Sequence, residues 1–213
     1  MSIKTFLLSF GIIAVFCGHY ALGQEREKSF SVNFGVNLAY PTFINLNEES
    51  FTETKPGYQL AVNKDFYLNK HFGISTSVGL NKNSFNAGKP VGSASSVNQL
   101  DLSYLSFEAG PSYKVSTDRM GFWSTLNLRV SRLIAENYSD YYYIGPSLSS
   151  ADAGLNLRLG AKLLTVPMQP YLLVNYYYGV YKVINSSLIT DTGQSFDDSF
   201  QNRSIGLQIG FYF

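Results

Sequence analysis

Three ionisable residues stand out by their surroundings. Glu108, Arg129 and Arg158 each have only Ser, Gly, Asn, Ala or apolar residues within two positions, apart from Arg129's wider neighbour Arg132. An acid and two bases in such settings can do one main kind of chemistry, a buried ionic network. That network either fills an interior or gates an ion path. A turn near Asp118 places Glu108 across from about position 128, which makes Glu108 and Arg129 near neighbours. Opposite charges at ~4 Å attract by about 4 kcal/mol at an effective dielectric near 20. Lys162, Asp152 and Asp101 are candidates to extend the network.

Catalytic constellations are thinner. Asp191-Thr192-Gly193 matches a short aspartic-protease tripeptide, but that chemistry needs two carboxylates sharing a proton, and no second tripeptide occurs. Asp197 and Asp198 lack the ligand spacing of a calcium loop. No phosphate loop, dinucleotide fingerprint or zinc pattern is found. No metal, cofactor or enzymatic activity is therefore expected.

The elements that position these residues announce themselves by period-two alternation. From Phe30 to Tyr40 each even position is apolar or aromatic, while the odd ones are Ser31, Asn33, Gly35, Asn37 and Ala39. At the other end, Ile205, Leu207, Ile209, Phe211 and Phe213 alternate with Ser204, Gly206, Gln208, Gly210 and Tyr212. Only a strand puts such a set on one face. The pattern predicts eight strands, over 30–42, 57–69, 72–84, 99–115, 121–134, 150–164, 170–183 and 203–213. They suit the roughly 9–11 residues of a tilted membrane-crossing strand. In the fourth, the apolar phase moves from Leu100, Leu102 and Tyr104 to Leu105, Phe107 and Ala109, which predicts a β-bulge. Lys64 falls on the apolar phase of the second strand; it either snorkels toward an interface or is turned inward by a register change, and both stay open.

The connections alternate as well. Those at 43–56, 85–98, 135–149 and 184–202 are long and polar; those at 70–71, 116–120 and 165–169 are short. Aromatic residues at strand ends, among them Tyr40, Phe43, Phe66, Phe72, Tyr171 and Phe213, read as interfacial girdles. Tyr138, Tyr141, Tyr142 and Tyr143, in the third long connection, are the best candidates for a binding surface.

Composition agrees. The chain has 213 residues with a net charge of +1, so no basic excess speaks for nucleic acid. Charged residues are 15% against a usual share of about 25%, while apolar residues are 45%, which excludes a disordered chain. Residues 1–23 combine Lys4, an apolar run over 6–16 and the small-x-small end Ala21-Leu22-Gly23, the form of a cleaved signal peptide. The only cysteine, Cys17, leaves with that leader, and so does His19. The predicted organisation is a signal peptide at 1–23 and one domain at 24–213. The domain retains a single histidine, His71, in a short turn. A lipid-modifying enzyme relying on histidine would need it near the opposite rim.

Alternation has no sign, since a soluble barrel would place the apolar face inward. The leader, the two-sided connection lengths, the aromatic last strand and the mid-strand charges on the polar face favour the apolar face outward. In hydrocarbon an open sheet edge costs several kcal/mol per unpaired group, so the first and last strands must pair. The expected fold is all-β, a closed antiparallel eight-stranded transmembrane up-and-down barrel with a packed polar interior.

The chain resembles the small outer-membrane β-barrel proteins of Gram-negative bacteria, in particular the porin-like group with PorT-type members. Two segments carry the resemblance. Residues 206–213, Gly-Leu-Gln-Ile-Gly-Phe-Tyr-Phe, look like a barrel-insertion signal, with Phe211 and Phe213 at its end. Residues 104–115, Tyr-Leu-Ser-Phe-Glu-Ala-Gly-Pro-Ser-Tyr-Lys-Val, are similar to the family's Tyr-Leu-Glu-Ile-Pro strand, with Pro111 later and Glu108 displaced. The resemblance implies a bacterial outer-membrane location with both termini periplasmic. It implies outer-membrane lipids and the barrel-assembly machinery as partners, with an extracellular or envelope protein as a further one. The expected role is envelope structure, adhesion or complex assembly through the long connections; the alternative is a small-solute pore or secretion component.

Overall fold

The computed structural model describes residues 29–40, 42–43, 51–91, 94–138, 150–182, 188–189, 195–196 and 200–213. The leader at 1–23 lies outside them, as do Tyr141, Tyr142, Tyr143, Asp191-Thr192-Gly193, Asp197 and Asp198. Eight long strands make the sheet: β1 (Phe30–Ala39), β2 (Phe51–Tyr67), β3 (Phe72–Val91), β4 (Ala94–Ser116), β5 (Met120–Tyr138), β6 (Ala151–Leu163), β7 (Pro170–Lys182) and β8 (Phe200–Tyr212). Each pairs antiparallel with its chain neighbours, and β8 pairs with β1 to close a barrel.

The register sets the barrel's dimensions. Partners followed from Phe30 run through Lys64, Thr76, Ala109, Leu128, Leu155, Tyr178 and Arg203. The Arg203 carbonyl then accepts from the amide of Tyr40, at 2.9 Å, back on β1. One circuit thus climbs from Phe30 to Tyr40, a stagger of ten residues. For eight strands this stagger gives a tilt of ~40° and a backbone radius of ~8 Å. Such a cylinder is wide enough for side chains to fill and too narrow for an open lumen.

The short connections and both described chain ends share one rim, where the Phe213 amide donates to the Phe30 carbonyl at 2.8 Å. Two of the turns have local causes. Asn69 Oδ1 accepts from the amides of His71 and Phe72, both at 2.9 Å. Thr117 Oγ1 accepts from the Met120 amide at 3.1 Å. Both are side-chain mimics of a backbone turn.

Three expectations are corrected at the other rim. Residues 85–98 are not a long connection: β3 and β4 continue as a hairpin to Val91↔Ala94. Residues 51–56 likewise extend β2 downward in number from the expected start, and β5 runs to Tyr138 rather than ending at 134. Apolar alternation stops where the outer surface turns polar, but ladder pairing needs only backbone groups and continues. A two-for-one register shift at Pro56-Gly57 accommodates a residue that cannot donate to the ladder. The bulge predicted in the fourth strand is also misplaced. In β4 the even positions Leu102, Tyr104, Ser106 and Glu108 are all buried, so its phase never changes. The extra residue is Ile134 on β5, since Ser103 pairs with Ala135 and Tyr104 with Leu133. Leu102 and Tyr104 are interior filling rather than outer surface.

The outer face is apolar on all eight strands. Val36, Leu60, Val78, Phe107, Leu128, Leu157, Val174 and Leu207 are all exposed at the level between the rims. On β1 the outward apolar phase runs from Phe30 to Leu38, which at ~3.3 Å per residue and ~40° tilt makes a belt ~23 Å tall. The buried face carries Asn33, Asn37, Gln59, Asn81, Asn127, Asn156, Asn175 and Gln208. No helix among the described residues is long and apolar enough to cross a membrane, which says nothing about crossing by strands.

Near the short-turn rim the interior is sealed by rings. Tyr171 lies 5.1 Å from Tyr212, and Trp123 meets both edge-on at 5.2 and 5.8 Å. This corrects the placement of Tyr171 in an interfacial girdle, because it is 5% exposed on the inward phase. Glycines make the room: Gly160 faces Trp123 and Gly210 faces Tyr171 across the ladder. A Cβ at Gly210 would run into the Tyr171 ring and the Val32 carbonyl. Gly210→Val is expected to destabilise the barrel by about 1–3 kcal/mol, the range for overpacking. A urea titration of the refolded chain, followed by gel mobility before and after boiling, checks this; an unchanged midpoint would contradict the packing.

Candidate functional site

The inward phases of β4, β5 and β6 bring the three singled-out residues together. Glu108 pairs with Arg129 across the ladder, one position from the expected partner at 128. Its Oε1 lies 3.9 Å from Arg129 Nε and its Oε2 lies 3.6 Å from Arg158 Nη1. All three side chains are buried. Each contact contributes a gross attraction of about 4 kcal/mol at an effective dielectric near 20, offset by desolvation of both partners.

Amides complete the cluster. Asn156 Nδ2 donates to Glu108 Oε2 at 2.9 Å, and Asn127 Nδ2 to the same oxygen at 3.4 Å. Arg158 Nη2 donates to Asn63 Oδ1 at 2.9 Å, while Arg129 Nε donates to Ser131 Oγ at 3.0 Å. The Arg129 guanidinium also lies 4.4 Å over the Tyr177 ring, a cation–π contact in a desolvated setting.

Two further groups sit above and below. Toward the long-connection rim, Asn202 Nδ2 donates to Asp152 Oδ2 at 3.0 Å and to the Tyr104 hydroxyl at 3.1 Å. Toward the short-turn rim, the Tyr212 hydroxyl donates to Asp65 Oδ2 at 2.8 Å, and Lys162 Nζ lies 4.5 Å over the Tyr212 ring. The fully buried ionisable set among the described residues is therefore Asp65, Glu108 and Asp152 against Arg129, Arg158 and Lys162. The signs balance. Asp101 does not join this network: it sits on the outward phase of β4 and pairs with Lys82 at 2.8 Å.

Sequence reasoning missed Asp65, Asn63, Asn156 and the aromatic seals. Strand parity held the signal. Tyr171, Leu173, Asn175 and Tyr177 share one phase, and Asn175 identifies that phase as inward. Aromatic rings on the polar phase belong to the interior.

Little open space is left beside the cluster. A polar void beside Arg158, lined by Asn33, Asn63, Thr125 and Tyr171 among others, measures about 10 Å³. That is room for about one water molecule. Lys64 points outward, donating to Ser29 Oγ at 2.7 Å, so it is not turned into the interior. His71 is exposed in its turn; its ring stacks on Tyr113 at 6.1 Å and its Nδ1 lies 3.2 Å from the Lys114 carbonyl. Tyr138 is the last residue of β5. Among the described residues no group of three or more His, Cys, Asp or Glu is placed to hold a metal.

No family model and no curated protein matches the chain. Several solved structures are similar in fold. Ail, the attachment invasion locus protein of Yersinia pestis, is 15% identical with a TM-score of 0.44, over 88% of this chain and 100% of that one. Neisserial surface protein A is 12% identical with a TM-score of 0.40, over 86% and 97%. The transport unit of the autotransporter AIDA-I from Escherichia coli is 9% identical with a TM-score of 0.41, over 95% and 97%. None is similar enough to assign the chain to a family.

The balanced charges make a sharp prediction. Glu108→Gln leaves two buried guanidinium groups with less counter-charge and is expected to destabilise the barrel by about 3–5 kcal/mol. Adding Arg129→Gln should restore part of the loss, because the two residues are directly coupled. Denaturant unfolding of the two single variants and the double variant measures the coupling; strict additivity would contradict it.

Proposed function

We propose that this chain is an integral bacterial outer-membrane β-barrel protein without enzymatic activity. It acts through the segments at its long-connection rim, in envelope structure, adhesion or assembly with an extracellular or envelope protein. Both termini lie on the periplasmic side, together with the short turns. One observation carries the reading: exposed aliphatic and aromatic side chains girdle all eight strands, while the buried ionisable groups sit inside in equal numbers of each sign. Monomeric soluble proteins rarely expose apolar patches beyond a few hundred Å², and hydrocarbon requires a closed sheet. A charge facing lipid at mid-depth costs about 2–4 kcal/mol, which supports the inward placement of Glu108, Arg129 and Arg158.

Lipid acyl chains are the partner of the belt. The barrel-assembly machinery is the partner during insertion, reading the last strand with Phe211 and Phe213 exposed on its outer face. The signal peptide at 1–23 belongs to the same reading. The PorT-type affinity rests on residues 104–115 and 206–213 alone. A rigid, filled interior leaves specificity to the rim, where Tyr138 and the tyrosines at 141–143 stand in sequence.

Reconstitution into planar bilayers tests the plug. The intact chain is expected to insert and to show no steady conductance. A persistent open level that changes with Glu108→Gln or Arg129→Gln would replace this reading with the small-solute pore. A chain that stays in solution without detergent would remove the membrane reading altogether.

A further inference from the structure

Resting on the membrane reading above, we propose that the belt edge at the long-connection rim docks lipid phosphate, foremost at Arg203. The outward phase of three strands passes straight from an apolar residue to a cation: Leu80 to Lys82 on β3, Val130 to Arg132 on β5, and Ile205 to Arg203 on β8. The ten-residue stagger raises each strand by about one and a quarter residues relative to the last. On that lattice the three cations lie within about one residue of a common height. They mark the upper boundary of the belt, where a leaflet's phosphate groups lie. At the lower boundary the only outward charge on the described strands is Lys64, which is tied to Ser29.

The three upper cations are not equivalent. Lys82 is neutralised by Asp101 at 2.8 Å. Arg132 and Arg203 have no carboxylate partner among the described residues. Arg203 is also held in place. Its guanidinium lies 4.5 Å over the Tyr178 ring, its carbonyl accepts from Tyr40, and Tyr40 stacks on Tyr176 at 6.4 Å. A guanidinium laid on an aromatic ring is held in one orientation; its Nε is buried there, so the terminal nitrogens are the donors that phosphate oxygens would meet. The aromatic platform suits the headgroup level. The ligand class is therefore a lipid carrying an exposed phosphate group in the leaflet at the long-connection rim.

Native mass spectrometry of the full chain in detergent tests this, with lipid A and enzymatically dephosphorylated lipid A as probes. The phosphorylated form is expected to be retained preferentially. The double variant Arg132→Gln/Arg203→Gln should lose that preference by about tenfold or more, while Lys64→Gln at the opposite edge should keep it. Equal retention of both probes by the intact chain overturns the proposal, as does a preference that survives in the double variant. Displacement of lipid A by millimolar inorganic phosphate would mark a site for the free anion and overturn the lipid assignment. Gel mobility before and after boiling confirms that each variant is folded, and Arg203→Lys, which keeps the charge and loses the fork, should fall between the intact chain and the double variant. Insertion into bilayers is read separately: failure to insert removes the membrane reading, whereas insertion without a phosphate preference removes only this inference.

Discussion

Pairing of β1 with β8 removes the two edges that an eight-stranded sheet would otherwise present. Every other property of the molecule follows from that closure. Along Ser31↔Tyr212 to Ala39↔Ser204 the ladder is unbroken, and it can close only at one stagger of the strands. The ten-residue climb from Phe30 to Tyr40 fixes tilt and radius together. With the radius fixed, the interior volume is fixed, and the side chains of the inward phase have to fill it.

That volume explains why charged residues stand in the middle of the barrel. Asn and Ser bond to one another over short reach, as in Asn37 to Asn83 and Asn81 to Ser106, both at 2.7 Å. Longer side chains are needed to reach across the axis, and Glu108, Arg129 and Arg158 do so from adjacent strands. One carboxylate against two guanidinium groups and the Lys162 ammonium would leave two excess positive charges were Asp65 and Asp152 not buried at the levels on either side. Rings close the interior where polar groups thin out. Trp123, Tyr171 and Tyr212 do this at one end, and Phe85, Leu102, Tyr104 and Tyr177 lie on the inward phase nearer the other.

A filled cylinder has functional consequences. Among the described residues the interior hydrogen bonds and ion pairs run from strand to strand, as in Asn37 to Asn83, Glu108 to Asn156 and Gln208 to Gln59. The outer surface is then the part that meets the surroundings in a graded way, apolar along its height and cationic at one edge through Arg132 and Arg203.

The strand count, the inward face and the meeting of Glu108 with Arg129 were all legible from the residues, because a period of two is strict and a hairpin register is local. Alternation sorts the two faces, and the connection lengths, the aromatic last strand and the mid-strand charges on the polar face say that the polar one is buried. Other features could not be read this way. Leu102, Tyr104 and Tyr171 are apolar or aromatic residues on the polar phase, and only closure shows that the interior narrows to a space rings can seal. The bulge at Ile134 could not be told from a phase change in β4, since two-against-one pairing is a property of two strands rather than of either one. The hairpin through Val91 and Ala94 carries no alternation, because backbone pairing persists where no apolar surroundings sort the side chains. The alternation of residues decided that a sheet forms with two unlike faces, and the mid-strand charges decided which one turns inward; the stagger at which it closes, a long-range property of all eight ladders at once, decided what the interior holds.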